Sequence, residues 1–213
     1  MQPFFESLSH ELREQLYALG TEKAFEPGDE IFREGYSVLF FSVIVSGKVK
    51  VVKFQSDGKE AILSIFKKGD AFMVPPLIDG LKSPSTAIAI ERTTVLQVPR
   101  EAFLRLLQKH NELALAVIDY LVGLMREKTD TIHVLASPSP EQRIAQTLVK
   151  ILQKENASLT LPFQVPLRRQ DIASMAGLTT ETTIRVIRNM AKKKILRIEH
   201  GKIFIDDLQK LLA

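Results

Sequence analysis

The stretch GLTTETTIRVIRNMAKKKIL, residues 177–196, decides how the second half of this chain is read. Its apolar residues recur at a helical period, yet Thr180, Glu181, Ile184, Arg185 and Arg188 share the opposite face. A merely solvated face would carry Lys and Glu there, not Thr and Ile. With RRQDIASMA before it, the stretch spells two short helices, 169–176 and 179–191, around a tight turn at Gly177. Ile172, Ala176, Leu178 and Val186 are the apolar positions that hold the pair at a steep angle, and Ala173 is small where the helices cross. Glycine enters a left-handed turn easily, and Thr179 can cap the second helix.

The outward face then has the chemistry of a base reader. Arg185 can pair in bidentate fashion with guanine N7 and O6, and Glu181 can accept from a cytosine amino group. Ile184 and the methyl of Thr180 can lie against thymine methyls, and Arg188 completes the face. A Glu within a basic surface points to base reading more than to phosphate attraction. Arg168, Arg169, Thr179, Lys192, Lys193, Lys194 and Lys202 flank the face as candidate phosphate contacts. After the helix, ILRIEH and KIFID form a hairpin turning at His200-Gly201, so the domain is winged. The plainer alternative is a helical hairpin used for protein contact. Motif spacing, charge and the domain boundary together favour double-stranded DNA.

Charge supports the division. The chain has 213 residues and a net charge of +4. Residues 1–137 carry 16 Lys and Arg against 18 Asp and Glu, whereas 138–213 carry 13 against 7. A basic second part suits a polyanion. There is no Cys, which excludes disulfides, iron–sulfur clusters and thiolate metal sites. No apolar run is long enough for a membrane span and the N-terminus lacks a signal-peptide pattern, so a cytoplasmic protein is expected.

Working back toward the N-terminus, SPSPEQR at 137–143 marks a boundary, with Ser139 and Gln142 as a capping box and Pro140 at the first helical position. Before it, a helix runs from Asn111 to about Leu135, and between Leu113 and Met125 it is apolar almost all round. Such a helix must be buried on every face. Val117, Tyr120, Leu124, Thr131 and Val134 follow a 3-4 spacing that suits a seam between two copies. The alternative is a central helix of one monomeric core. We expect the dimer, because a barrel covers only one face. Between a short helix at 9–19 and a helix after Pro99, glycines punctuate short β-rich runs: EIF, FFSVIVSG, KVKVVKF, AILSIF, STAIAIE and TVLQVP. Asp57-Gly58 reads as a hairpin turn, and the whole as a sandwich or barrel. The expected domains are a sensing β domain (1–110), a dimerisation helix and hinge (111–137) and the DNA-binding domain (138–213).

In order along the chain, FEPGDEIFREG (25–35), VSGKVKV (45–51), DGKEAIL (57–63), KKGDAF (67–72), EQRIAQTLVKIL (141–152) and the E-x-x-x-R of the second helix resemble the CRP/FNR family of bacterial transcription regulators. The resemblance implies an α+β chain: a cyclic-nucleotide-binding-type β jelly roll, a long dimerisation helix and a C-terminal winged helix–turn–helix. It implies a homodimer on near-palindromic DNA, with RNA polymerase as a further partner. Glu181 and Arg185 match the base-reading pair and imply a TGA-like half-site. Ile184 stands where relatives carry Gly or Ser, and Thr180 where the cAMP-responsive branch has Arg, so the half-site is related rather than identical.

The sensing site departs further. By the same resemblance, Met73 and Val74 stand where a Gly-Glu pair would hold a ribose, and Pro84-Ser85-Thr86 covers the Arg-Ser that would hold a phosphate. Lys128-Thr129 replaces the Thr-Ser that reads the purine. A buried cyclic phosphate without its Arg is unfavourable, so cAMP is not expected. Met73, Val74, Leu77, Tyr120 and Leu124, with Ser85 and Thr86, imply a mostly apolar pocket, holding an apolar effector or packed shut. The iron–sulfur branch is excluded by the absence of Cys. Haem, a gas-sensing alternative, has no His between residues 11 and 109 to bind it; His10, His110 and His133 remain. An enzyme on a cupin-like barrel would need several His ligands, and a ligand-binding module acting through protein contacts alone leaves Glu181 and Arg185 unexplained.

Overall fold

The computed structural model describes residues 3–54, 60–137, 139–155 and 160–212. The chain divides into two compact units, Met1–Met125 and Arg126–Ala213.

In the first unit a 3-10 turn (Phe4–Ser7) precedes α1 (His10–Leu19). Ser9 Oγ accepts the Leu12 N–H at 3.4 Å, and Leu12 and Leu16 are buried. The strands follow: β1 (Thr21–Phe25), β2 (Glu30–Phe32), β3 (Phe40–Ser46), β4 (Lys48–Phe54), β5 (Glu60–Lys67), β6 (Ala71–Phe72), β7 (Thr86–Ala89) and β8 (Thr93–Pro99). A one-and-a-half-turn helix, α2 (Val74–Asp79), sits between β6 and β7. They form two antiparallel sheets, ordered β1-β8-β3-β6 and β2-β7-β4-β5. Strands distant in sequence lie side by side in both, as a jelly roll requires.

Local chemistry explains the turns. Gly47 joins β3 to β4 at φ +87, and a Cβ there would lie 2.4 Å from Thr93 Oγ1 and 2.6 Å from Arg92 O. Only glycine fits. In β4, Val49 and Val51 face inward as the alternation predicts; a bulge between Val51 and Val52 then turns Val52 inward too. The Asp57-Gly58 turn lies outside the described residues, but β4 and β5 pair from Lys48↔Lys67 to Phe54↔Glu60. Aromatic packing closes the core: Phe41 stacks on Phe103 at 3.9 Å between centroids, and Phe4 meets Phe41 edge-on at 5.5 Å.

Two helices follow the sheets, α3 (Arg100–Lys109) and α4 (Asn111–Ala136). The proposed seam on α4 needs correction. Val117 (3% exposed) and Tyr120 (4%) belong to the core of the first unit, with Leu124 packed against it. Tyr120 Oη donates to Ala71 O at 2.6 Å. Farther along, Thr131 Oγ1 donates to Glu127 O and accepts from Lys150 Nζ, and Val134 is buried. These five side chains face their own chain. The apolar residues left exposed on α4 are Leu115, Ile118, Val122, Met125, Ile132 and Leu135.

The second unit adds α5 (Pro140–Glu155), β9 (Phe163–Gln164), α6 (Arg169–Ala176), α7 (Thr180–Lys192), β10 (Arg197–Glu199), β11 (Lys202–Ile205) and α8 (Leu208–Leu212). Ser139 Oγ accepts the Gln142 N–H at 3.1 Å, capping α5. Ile144, Leu148, Leu152, Ile172, Ile187, Met190, Ile203 and Ile205 form the core. The wing is a three-stranded sheet ordered β10-β11-β9.

Candidate nucleic-acid interface

The second helix of the pair, α7, is fixed at both ends and along one side. At its start Thr179 Oγ1 accepts the Thr182 N–H at 3.2 Å and donates to Thr182 Oγ1 at 2.9 Å. Gly177 takes φ +62, and the Leu178 N–H reaches back to Ala173 O at 2.9 Å, so the turn between α6 and α7 closes on its own backbone. Thr183, Ile187 and Met190 are the fully buried side of α7, and Ile172, Ala173 and Ala176 that of α6. Val186 and Leu178, expected in the core, are half-buried and pack at its margin. The inward stripe is thus rotated slightly from the one expected, because Thr183 is small enough to lie inside.

That rotation leaves Thr180, Glu181, Arg185 and Arg188 exposed, with Ile184 half-buried among them. Asn189, four residues past Arg185, is exposed on the same face; the i, i+4 spacing would have found it. The face presents, within three turns, a carboxylate, two guanidinium groups, a carboxamide and an aliphatic side chain. Donors, an acceptor and an apolar surface together match what base edges offer in a major groove.

The flanking cations divide into two groups. Arg168, Lys192, Lys194 and Lys202 are exposed. The backbone N–H of Arg168 donates to Asp171 Oδ2 at 3.2 Å, which starts α6. Lys193, however, holds Glu141 of α5 with both carboxylate oxygens, at 2.9 and 3.0 Å. Arg169 Nη1 donates to Gly201 O in the wing turn at 2.5 Å. Neither partner was visible from sequence, since they lie 52 and 32 residues away. The wing turn has φ +46 at His200 and +75 at Gly201, the pair of left-handed residues that a two-residue hairpin needs. At its base Arg197 forms a two-point pair with Asp206, 3.0 Å for each bond, with its guanidinium 4.8 Å from the Phe204 ring centre. The hydrogen bonds from Arg197 hold the Asp206 carboxyl below the ordinary aspartate range.

In the first unit the residues expected to line a sensing pocket come together in the core. Met73, Val74, Leu77 and Tyr120 are buried there and Leu124 packs against the same core. Met73 takes φ +58. Ser85 and Thr86 are buried; Ser85 O accepts from Ser83 Oγ at 2.6 Å, and Thr86 Oγ1 accepts the Glu34 N–H at 3.1 Å. Arg100 closes the far end of α2 by donating to Leu77 O (2.6 Å) and Ile78 O (3.2 Å). Among the described residues no His, Cys, Asp and Glu group could hold a metal ion, and no helix is long and apolar enough to cross a membrane.

Comparison with known proteins agrees with this geometry. Residues 22–110 match the cyclic nucleotide-binding domain family, and residues 142–213 match the Crp-like helix-turn-helix domain family. The chain is 26% identical over 201 residues to the cyclic AMP receptor protein of Thermus thermophilus, spanning 94% of this chain and 91% of that protein. It is 28% identical over 207 residues to the nitrogen fixation regulation protein FixK of Bradyrhizobium diazoefficiens, spanning 95% and 85%. The solved structure of FixK2 from Bradyrhizobium japonicum is similar with a TM-score of 0.79 at 25% identity, covering 91% of this chain and 96% of that one. A cyclic nucleotide-binding-type domain followed by a Crp-like helix–turn–helix domain, with regulators as its relatives along nearly the whole chain, makes this chain a member of the CRP/FNR family of transcription regulators.

Proposed function

We propose that two copies of the chain bind a near-palindromic site with TGA-like half-sites and thereby control transcription initiation in the cytoplasm, with RNA polymerase as the partner that responds. The observation that carries the reading is the exposure of Glu181, Arg185 and Arg188 along one side of α7 while Thr183, Ile187 and Met190 are buried on the other. Arg185 reads guanine, Glu181 accepts from the opposing cytosine, and Ile184 with Thr180 favours thymine methyls at neighbouring steps. Arg168, Lys192, Lys194 and Lys202 supply phosphate contacts.

The second copy docks on α4. Leu115, Ile118, Val122 and Met125 are three and four residues apart, and the spacing continues through Thr129 to Ile132. This is the seam that replaces the expected one, and it has the periodicity of a two-stranded coiled coil. In the dimer the two α7 helices lie about 34 Å apart, one turn of DNA.

A cyclic nucleotide does not fit the jelly roll. Pro75 and Pro76 occupy the first turn of α2, so two of the N–H groups that an anion would need there are missing. The segment Pro84-Ser85-Thr86 brings no cation, and Lys53, which reaches it, is held by Pro84 O at 3.2 Å and Glu34 at 2.9 Å. The aliphatic packing of Met73, Val74, Leu77 and Leu124 supports an apolar effector or a closed core.

Fluorescence anisotropy on a duplex carrying a TGA inverted repeat tests the reading. Specific binding should weaken steeply with salt and should weaken further when either half-site is scrambled. Equal affinity for the repeat and a scrambled duplex at every salt concentration would refute it.

A further inference from the structure

We propose that Arg169 is a positioning residue: it ties the wing tip to the start of α6, and so sets where Lys202 meets the phosphate backbone. The proposal rests on the DNA reading above for its consequence, but the tie itself is independent of DNA.

The wing consists of short strands, three residues in β10 and four in β11. Hairpins this small order weakly without outside support. Its base has that support from β9, which pairs with Phe204 and Ile205, and from Ile203 and Ile205, which lie in the core of the unit. Its tip reaches the rest of the unit through Arg169 Nη1 and Gly201 O. Arg169 opens α6, and α6 packs on α7 through Ile172, Ala173 and Ala176. The hydrogen bond therefore connects the helix–turn–helix scaffold to the turn that precedes Lys202.

Arginine suits this position for a geometric reason. A guanidinium has five N–H donors in one plane, so one can hold the carbonyl while others stay directed at a phosphate. A lysine ammonium is a point charge on a flexible stem and holds the two at a fixed separation poorly. Ordering the tip before DNA arrives also removes a loss of freedom that binding would otherwise carry.

The test compares full-length Arg169→Lys, Arg169→Gln and Lys202→Ala proteins, and the double variant Arg169→Lys with Lys202→Ala. Amide hydrogen exchange without DNA is measured across 199–202 and across α7. Both Arg169 variants should speed exchange in the wing turn about tenfold, the equilibrium worth of roughly one net hydrogen bond, with α7 unchanged. On DNA, Lys202→Ala should lower the log–log salt slope by about one per protomer in the Arg169 background and by much less in the Arg169→Lys background. Unchanged wing exchange in both Arg169 variants overturns the tie. Independent, multiplicative losses for Arg169→Lys and Lys202→Ala overturn the positioning role. If the unsubstituted protein binds no duplex at all, the DNA reading falls, and the exchange measurement still decides the tie.

Discussion

Replacing Ile118 by Glu should dissociate the dimer. Ile118 is 56% exposed on α4, in line with Leu115, Val122, Met125 (71%) and Ile132 (67%). Full burial of such a side chain stabilises by about 1.5–3 kcal/mol, and with somewhat more than half still outside, a second copy can bury about 1–1.5 kcal/mol for each. Two-fold symmetry counts every residue twice, so Ile118 contributes about 2–3 kcal/mol to the dimer, and the five together about 10–15 kcal/mol. Association itself opposes this by about 4–15 kcal/mol, so the seam holds without a large surplus. Glu at 118 forfeits the apolar contribution and sets two carboxylates facing each other. The dimer dissociation constant should rise by at least about 30-fold, the equivalent of about 2 kcal/mol. Sedimentation velocity over a concentration series reads it. Tyr120→Phe is the control, since Tyr120 is buried against its own barrel and its Oη bonds Ala71 O. That change should lower unfolding stability by about 1–2 kcal/mol, because it strands a buried acceptor, and leave the dissociation constant within about twofold. Dissociation by Tyr120→Phe with an intact Ile118→Glu dimer would show that the two faces of α4 have been assigned the wrong way round.

Arg185→Ala should lose about 1–3 kcal/mol of discrimination at a single G·C pair, read by binding to a set of single-base variants; unchanged preference at every position contradicts base reading by Arg185. Gly177→Ala should destabilise the second unit by about 1–2 kcal/mol in a denaturant titration, since φ is +62 and the new Cβ would lie 2.8 Å from Leu135 Cδ2. Glu141→Gln releases Lys193 and should raise affinity for unrelated DNA while leaving sequence preference as it was, checked by competition with mixed duplex. Asp206 has its folded value lowered by hydrogen bonds from Arg197, so its contribution is present above the unfolded value and is lost as pH falls through the folded one. Thermal melts should therefore show the second unit weakening as pH drops below about 3.8, and Asp206→Asn should flatten that part of the profile; an identical profile would remove the pair from the stability of the wing.

The helix–turn–helix was legible because every local signal agreed: the Gly177 turn, the Thr179 cap and the apolar spacing all name the same geometry. The capped starts at Ser9 and Ser139 were legible for the same reason. β1 was not, because TEKAF lies at a sheet edge with four of its five residues exposed, and so carries no alternation. No helix was expected over α2, where Pro75 and Pro76 stand in the first turn, although a helix tolerates proline there. Val117, Tyr120 and Leu124 turned out to face the barrel because residues 113–125 are apolar nearly all round: period alone shows that both sides are covered, not which side meets the barrel. The partners of Lys193 and Arg169 depend on tertiary placement, which no local pattern encodes.

The pair of bonds between Arg197 and Asp206 links β10 to the segment that follows β11. Leu211 of α8 lies in the same core as Ile203 and Ile205. A stop codon just after Ile205 would leave Glu181, Arg185 and every other exposed side chain of α7 in the product. It would still remove Asp206 and α8, and with them the anchorage of β10. Such a product should melt at a lower temperature in its second unit, even though α7 is translated intact.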